Sequence, residues 1–233
     1  MQTPDTENSL LALDELWQQR HLPAVLNELE SALQLALSTQ REYSLCWRLA
    51  RLAHFRAMQC EDENQIAETL RFFEIGKSHA QKAVEENRHD VEGHFWLGVN
   101  ALEWARRKSP LHAAGHFKSA SGHIERAMNQ DESYHFAGPL RVWGRIAHLK
   151  PLILGGSLDI ALDIYRRALQ IFPHNSTTIL YYSEALLADQ QKALARKTFH
   201  QIIEAQDDPN WLWEQARDRR LAQLHLQKMD ASL

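Results

Sequence analysis

Arg141, Arg145 and His148 are four and three residues apart, a spacing that gathers all three onto one face of an α-helix. A guanidinium can hold a carboxylate through two parallel hydrogen bonds. The cluster therefore suits capture of an acidic small molecule, a chain terminus or an acidic side chain. Glu184 is the acid that could face it, either as the opposite wall of a groove or as an internal ion-pair partner. A second cluster, His112, His116 and His123, falls within about 40° on a helix. Two histidines at i, i+4 make half a metal site. Here the Glu of a His-Glu-x-x-His motif is missing and no acid shares the stripe, so no metal or cofactor is expected and the histidines read as residues bordering an apolar face. That stripe is the whole basis for an alternative reading as a His-ligated metal-dependent hydrolase. Gly155-Gly156 is not followed by Gly-Lys-Ser/Thr and does not make a phosphate loop. Nor is there a Gly-x-Ser-x-Gly elbow, so the chemistry points to binding and not to an enzyme.

These side chains must be placed by helices. Across 233 residues, 44% of them hydrophobic, apolar positions recur at i, i+3, i+4, i+7 and almost nowhere alternate, which predicts an all-α chain. Lys and Arg number 26 against 30 Asp and Glu, and no basic block exceeds Arg106-Arg107-Lys108. That balance argues against binding a phosphate backbone, so nucleic acid is not an expected partner. Cys46 and Cys60 lack metal or redox spacing. No apolar run of about 18 residues could cross a bilayer. The sequence as it stands opens without a basic-then-apolar export signal and reads as cytoplasmic; a periplasmic lipoprotein whose signal peptide had been removed would read the same way.

The middle of the chain repeats. Ala161, Tyr165, Ala168 and Pro173 carry the second-helix signature of a tetratricopeptide repeat, in which small residues let helices approach and an aromatic fills the space between neighbours. Trp143-Gly144 precede it as a first helix. Ser183 with Ala195, Phe199 and Ile202 follows; Leu97-Gly98 with Ala120, Ile124 and Ala127, and Trp47, Ala50 and Arg51 with Gly76, Ala80 and Ala83, come before. The closing positions Ala83, Ala127, Ala168 and Ile202 are 44, 41 and 34 residues apart, so the earlier repeats carry inserts near 59–71, 108–114 and 151–157, expected at helix–helix turns. The predicted architecture is about four helical hairpins in a solenoid: residues 1–9 flexible, one domain over 10–229, N-terminal helices over 10–40, repeats over 43–206 and a capping helix over 208–229. In that helix Asp208-Pro209 reads as the start and Trp213, Leu221 and Leu224 as the apolar stripe.

In such stacks the concave groove is lined by fixed positions of each first helix. Counting from Gly98, Gly144 and Ser183 gives Phe95 and Val99, then Gly138, Arg141, Arg145 and His148, then Thr177 and Glu184. The same count adds Arg48 from the first repeat. Gly138-Pro139 is read as a sharp helix start, with positive φ at Gly138 and Pro139 in the first turn; Gly155-Gly156 is read as an enlarged turn.

Several phrases are more specific than a generic repeat. Glu92-Gly-His-Phe-Trp-Leu-Gly-Val-Asn100, Gly138-Pro-Leu-Arg-Val-Trp-Gly144, Gly155-Gly156 and Pro173-His-Asn175 together resemble the T-component proteins of TRAP transporters, over about Tyr43 to Ala205. The resemblance implies tetratricopeptide-like helical pairs, a homo-oligomer, and a protein partner, the transporter's substrate-binding protein, or a small acidic or apolar ligand. Trp47-Arg-Leu-Ala-Arg51 is similar to regulators of microtubule dynamics, which would imply a cytoplasmic interaction scaffold.

Overall fold

The computed structural model describes residues 4–39, 43–108, 110–150 and 155–231, with the side-chain surroundings of all but 4–7, 39 and 110–114. These residues form eleven helices and no strands: α1 (Pro4–Gln18), α2 (Pro23–Thr39), α3 (Tyr43–Asp62), α4 (Ile66–Glu86), α5 (Val91–Lys108), α6 (Pro110–Gln130), α7 (Tyr134–Leu149), α8 (Leu158–Ile171), α9 (Ser176–Ala188), α10 (Lys192–Glu204) and α11 (Leu212–Asp230). Helix α1 begins at Pro4, ahead of the Leu10 start that periodicity suggests. They gather into two compact units, Met1–Asp131 and Glu132–Leu233, where the repeat pattern alone suggests a single domain.

In the first unit each helix packs on its sequence neighbour, and α3 also packs on α5. In the second, α7 packs on α8 and α9, and α9 on α10 and α11. Contact with the next helix and the next but one is how stacked hairpins bury a continuous core. The repeat positions read from the sequence form that core: Ala50, Ala80, Ala83, Ile124, Ala127, Ala161, Tyr165, Ser183, Ala195, Phe199 and Ile202 are 0% exposed.

The inserts in the first two hairpins are not loops. They lengthen helices: α3 runs to Asp62 and α4 starts at Ile66, while α5 ends at Lys108 and α6 begins at Pro110. Once a helix is nucleated, each added residue gains a hydrogen bond that offsets its ordering, so an insert can extend a hairpin instead of forming a long loop. The tight turns that remain use left-handed residues, Asn64 at φ 60° and Gln190 at φ 62°. The third insert, near 151–157, falls partly outside the described residues; its end, Gly155, takes φ 86°, as an enlarged turn needs. Pro23 opens α2, where its missing N–H has no partner to lose. Ser157 and Asn175 cap α8 and α9, accepting from the N–H groups of Ile160 and Thr178.

Two expectations are corrected. Helix α11 starts at Leu212 and not at Asp208-Pro209, because Asp208 closes a turn instead: its carbonyl accepts from Trp211 N–H and its carboxylate from Asn210 N–H. Its inner face is Gln215, Asp218, Ala222 and Leu226, while Leu224 is 49% exposed. The apolar stripe misleads there because polar residues with partners of their own occupy the buried side.

Glycines at hairpin seams set how closely helices approach. A Cβ on Gly144 would lie 2.7 Å from Tyr165 Cε1, and one on Gly98 2.6 Å from Ile124 Cδ1, whereas Gly122 has nothing within 4 Å. Gly144→Ala is expected to destabilise by about 1–3 kcal/mol through overpacking. Gly122→Ala should instead stabilise by about 0.5–1 kcal/mol, through helix propensity. Chemical denaturation of the two variants should shift in opposite directions.

Candidate functional site

The second unit builds its polar centre at the start of α7. After Ser133 the chain makes a left-handed turn with three L-residues in sequence: His135 (φ 49°, ψ 54°), Phe136 (φ 58°, ψ 50°) and Ala137 (φ 55°, ψ 37°). Left-handed helical backbone costs L-residues about 1–2 kcal/mol each, so the surroundings must hold this turn in place. Ala137 N–H donates to the Ser133 carbonyl at 3.0 Å. The half-buried Phe136 ring lies 5.5 Å from Phe172 and 4.8 Å from Trp211. Positive φ therefore falls on the three residues before Gly138 and not on Gly138 itself, which corrects the sequence reading. Pro139 keeps its expected place, because proline disfavours helical backbone in the residue before it and suits the first turn of the right-handed helix that follows.

Arg141, 6% exposed, points back at that turn. Its Nη1 donates to the Phe136 carbonyl at 3.0 Å and lies 3.4 Å from Asn175 Oδ1. The guanidinium carbon sits 5.5 Å from the Trp211 ring centre. No carboxylate among the described residues forms an ion pair with it. Burial pushes its pKa below the ordinary value, opposed by the more distant charge of Asp218. Asn175 is equally enclosed. Its Oδ1 accepts from Thr178 N–H and Oγ1–H, which fixes the amide orientation, and leaves Nδ2 buried without a partner among the described residues.

Asp218, on α11, is 1% exposed. It accepts hydrogen bonds from Ser176 Oγ at 2.6 Å and Thr177 Oγ1 at 2.7 Å, while Trp211 Nε1–H donates to Thr177 Oγ1 at 3.1 Å. Burial pushes the Asp218 carboxyl up to about 6, against the pull of the two hydroxyls.

The sequence-predicted residues divide. Arg145 and Glu184 come together as an ion pair, with Arg145 4.3 Å over the Tyr181 ring and His225 Nε2 3.0 Å from the second Glu184 oxygen. Burial opposes the Glu184 charge, but hydrogen bonds from His225 and Arg145 keep its pKa below the usual range. His148 shares the helix; burial and the Arg145 charge lower its pKa, and its Nδ1 is buried without a partner among the described residues. Arg48, Phe95 and Val99 belong to the first unit. Arg48 is committed to Asp14 through two hydrogen bonds, and Phe95 and Val99 are 2% and 7% exposed. Gly144 packs at the α7–α8 seam, and Gly156 is buried beside the exposed turn residue Gly155.

The histidine stripe does not converge. His116 is exposed, edge-on to Trp104, and the side chain of His112 lies outside the described residues. His123 turns across the hairpin to His94, Nδ1 to Nδ1 at 2.8 Å. His94 Nε2 lies 3.1 Å from the Arg88 carbonyl, which can only accept, so neutral His94 carries its proton there and receives the His123 Nδ1–H bond. Among the described residues no group of three His, Cys, Asp or Glu side chains could hold a metal ion. Asp218, Trp211, Phe136 and Asn175 were not singled out as site residues from the sequence. The signals available were Asn175 in a helix-cap position and Trp211 outside the repeat register.

These features define a helical-hairpin repeat protein whose second unit holds a buried arginine with no ion-pair partner among the described residues. The sequence matches the family model of the TRAP transporter T-component over residues 39–224, and the chain belongs to that family. No curated protein matches it. Among the described residues no helix is long and apolar enough to cross a membrane.

Half-buried His123 and buried Asp218 have opposite pH signatures. Burial, with repulsion from His94 once it is protonated and from Arg126, pushes His123 down to about 4, so folding favours its neutral form; that stability is complete above the unfolded value near 6.5 and falls as pH drops towards 4. His123→Gln should flatten this acid-side loss in urea denaturation. Asp218 is protonated in the fold up to about 6, so its contribution is lost as pH rises from about 4 to 6. Asp218→Asn should therefore gain roughly 2 kcal/mol on the native chain over that interval.

Proposed function

We propose that this chain is a non-enzymatic binding component of a TRAP transport system, and that it captures an acidic group of its partner at Arg141 in the second unit. The observation that carries the reading is the state of Arg141: a guanidinium buried to 6% exposure whose hydrogen bonds go to neutral acceptors. A buried charge whose carboxylates lie at a distance is costly, and an incoming carboxylate would relieve that cost with two charge-assisted hydrogen bonds. Arg145 differs, because Glu184 and His225 already complete it. It positions the α7–α9 seam and leaves Arg141 as the capturing residue. The partner is the substrate-binding protein of the same transporter, or the amphipathic acid that this protein carries. Self-association into an oligomer belongs to the same reading, and sedimentation of the purified protein reads it.

The test uses the full chain with that substrate-binding protein, purified separately. Calorimetric titration should give saturable binding. Arg141→Ala should weaken it by at least about tenfold, the loss of one charge-assisted contact, with unchanged helicity by circular dichroism. Arg145→Ala should lower thermal stability more than affinity. Equal affinity for native and Arg141→Ala protein would remove Arg141 from the role.

A further inference from the structure

Around Arg141 the chain meets the guanidinium with a piece of itself. The Phe136 carbonyl occupies the guanidinium where a ligand oxygen would sit. The Phe136 ring fills an aromatic slot between Phe172 and Trp211, at centroid distances of 5.5 and 4.8 Å. From carbonyl carbon through Cα and Cβ to the ring, this residue traces the skeleton of 3-phenylpropanoate. The fit is incomplete in an informative way. A carbonyl carries no charge, so Arg141 forms no ion pair among the described residues, and the adjacent Asn175 Nδ2–H is buried with no acceptor among them. Asp218 does not supply one; its bonded oxygen is held by Ser176 and Thr177. A carboxylate in place of the carbonyl would bring both a negative charge and a second oxygen to this pair of donors.

The segment that supplies the Phe136 carbonyl and ring is also the most strained backbone described in the chain, three successive L-residues at φ 49°, 58° and 55°. Phe136 is itself partly exposed, so its way out leads to solvent.

We infer that Phe136 is a built-in pseudo-ligand in a site for an aromatic monocarboxylate, and that the left-handed turn His135–Ala137 is the plug that swings out to admit it. The inference rests on Arg141 being the acid-capturing residue and adds the ligand class and the gate. A plug that competes with ligand lowers apparent affinity by the fraction of time it is closed. Removing its ring should raise affinity, and relaxing its closed backbone should lower it.

The probe is 3-phenylpropanoate, titrated calorimetrically into the full chain, with 3-phenyl-1-propanol as its neutral analogue. Phe136→Ala empties the slot and should bind the acid about tenfold or more tighter than native protein, with no such gain for the alcohol. Adding Arg141→Lys to Phe136→Ala should abolish the gain, since a lysine cannot bind both oxygens from this position. Ala137→Gly relieves the left-handed penalty and gives up one buried methyl contact, the smaller of the two effects, so it still favours the closed plug and should weaken native binding about twofold or more. Circular dichroism checks each variant; should Phe136→Ala not fold, the Ala137→Gly comparison decides by itself. The inference is overturned if Phe136→Ala binds no tighter than native, if alcohol and acid gain equally, or if Ala137→Gly binds as well as or better than native. Arg141-dependent capture of the substrate-binding protein that persists through such a result would leave the proposed function standing and remove the plug alone.

Discussion

Close approach of helices across glycine is the constraint on which the rest of this molecule depends. Gly144 lets the Tyr165 ring lie against the α7 backbone, Gly98 does the same for Ile124, and Gly76 receives the Asn100 side chain. In each case the space of one methyl group sets how closely two helices approach. With that pairing set, small residues such as Ala161, Ala168 and Ala195 close the seam, and the large ones, Tyr165 and Phe199, fill the gap to the next helix at zero exposure. The side chains of the polar centre depend on this spacing. Arg141 and Arg145 stand on the same helix as Gly144, so the distance from α7 to α8 and α9 determines what each guanidinium can reach.

The two arginines show how burial and partner supply divide one motif into two roles. They are one helical turn apart and chemically identical. Arg145 meets Glu184, which His225 also holds, and the three form a neutralised network within the stack. Arg141 meets a backbone carbonyl and an amide oxygen. Hydrogen bonds to neutral acceptors satisfy its geometry but not its charge, and in a desolvated setting the charge is the larger cost. An ion pair of the first kind stabilises the fold at rest. An arrangement of the second kind fixes the Phe136 turn at rest and leaves the guanidinium without a direct ion pair among the described residues.

Repeat architecture was legible in the sequence because it rests on residue size at fixed spacing, which periodicity reports directly. Ala161, Tyr165 and Ala168 could be placed at a seam from their types alone. The inserts were visible as irregular spacing, but whether they became loops or longer helices depended on cooperative helix extension, which spacing does not encode. The polar centre was half legible. Arg141, Arg145 and Glu184 stood out by type and register. Asp218 did not, because a buried carboxylate is recognisable only from the hydroxyls that meet it, here Ser176 and Thr177 from another helix about forty residues earlier. The same holds for His123, whose partner His94 lies on the opposite helix of its hairpin. Contacts between helices, and not patterns along them, decide these residues.

The left-handed turn before Gly138 carries this point into energetics. A glycine beside a proline invites the assignment of positive φ to the glycine, since it alone adopts that conformation freely. The chain instead places the strain on His135, Phe136 and Ala137 and leaves Gly138 to precede Pro139. Local preference would not choose this. It is held by the Phe136 ring in its aromatic slot, by Arg141 on the Phe136 carbonyl, and by full burial of Ala137. Strain maintained by tertiary contacts can be released when those contacts are replaced, and here they converge on a buried arginine that forms no ion pair among the described residues. Backbone strain and a buried guanidinium bonded to neutral acceptors thus meet at the same few residues, each held in place by the other.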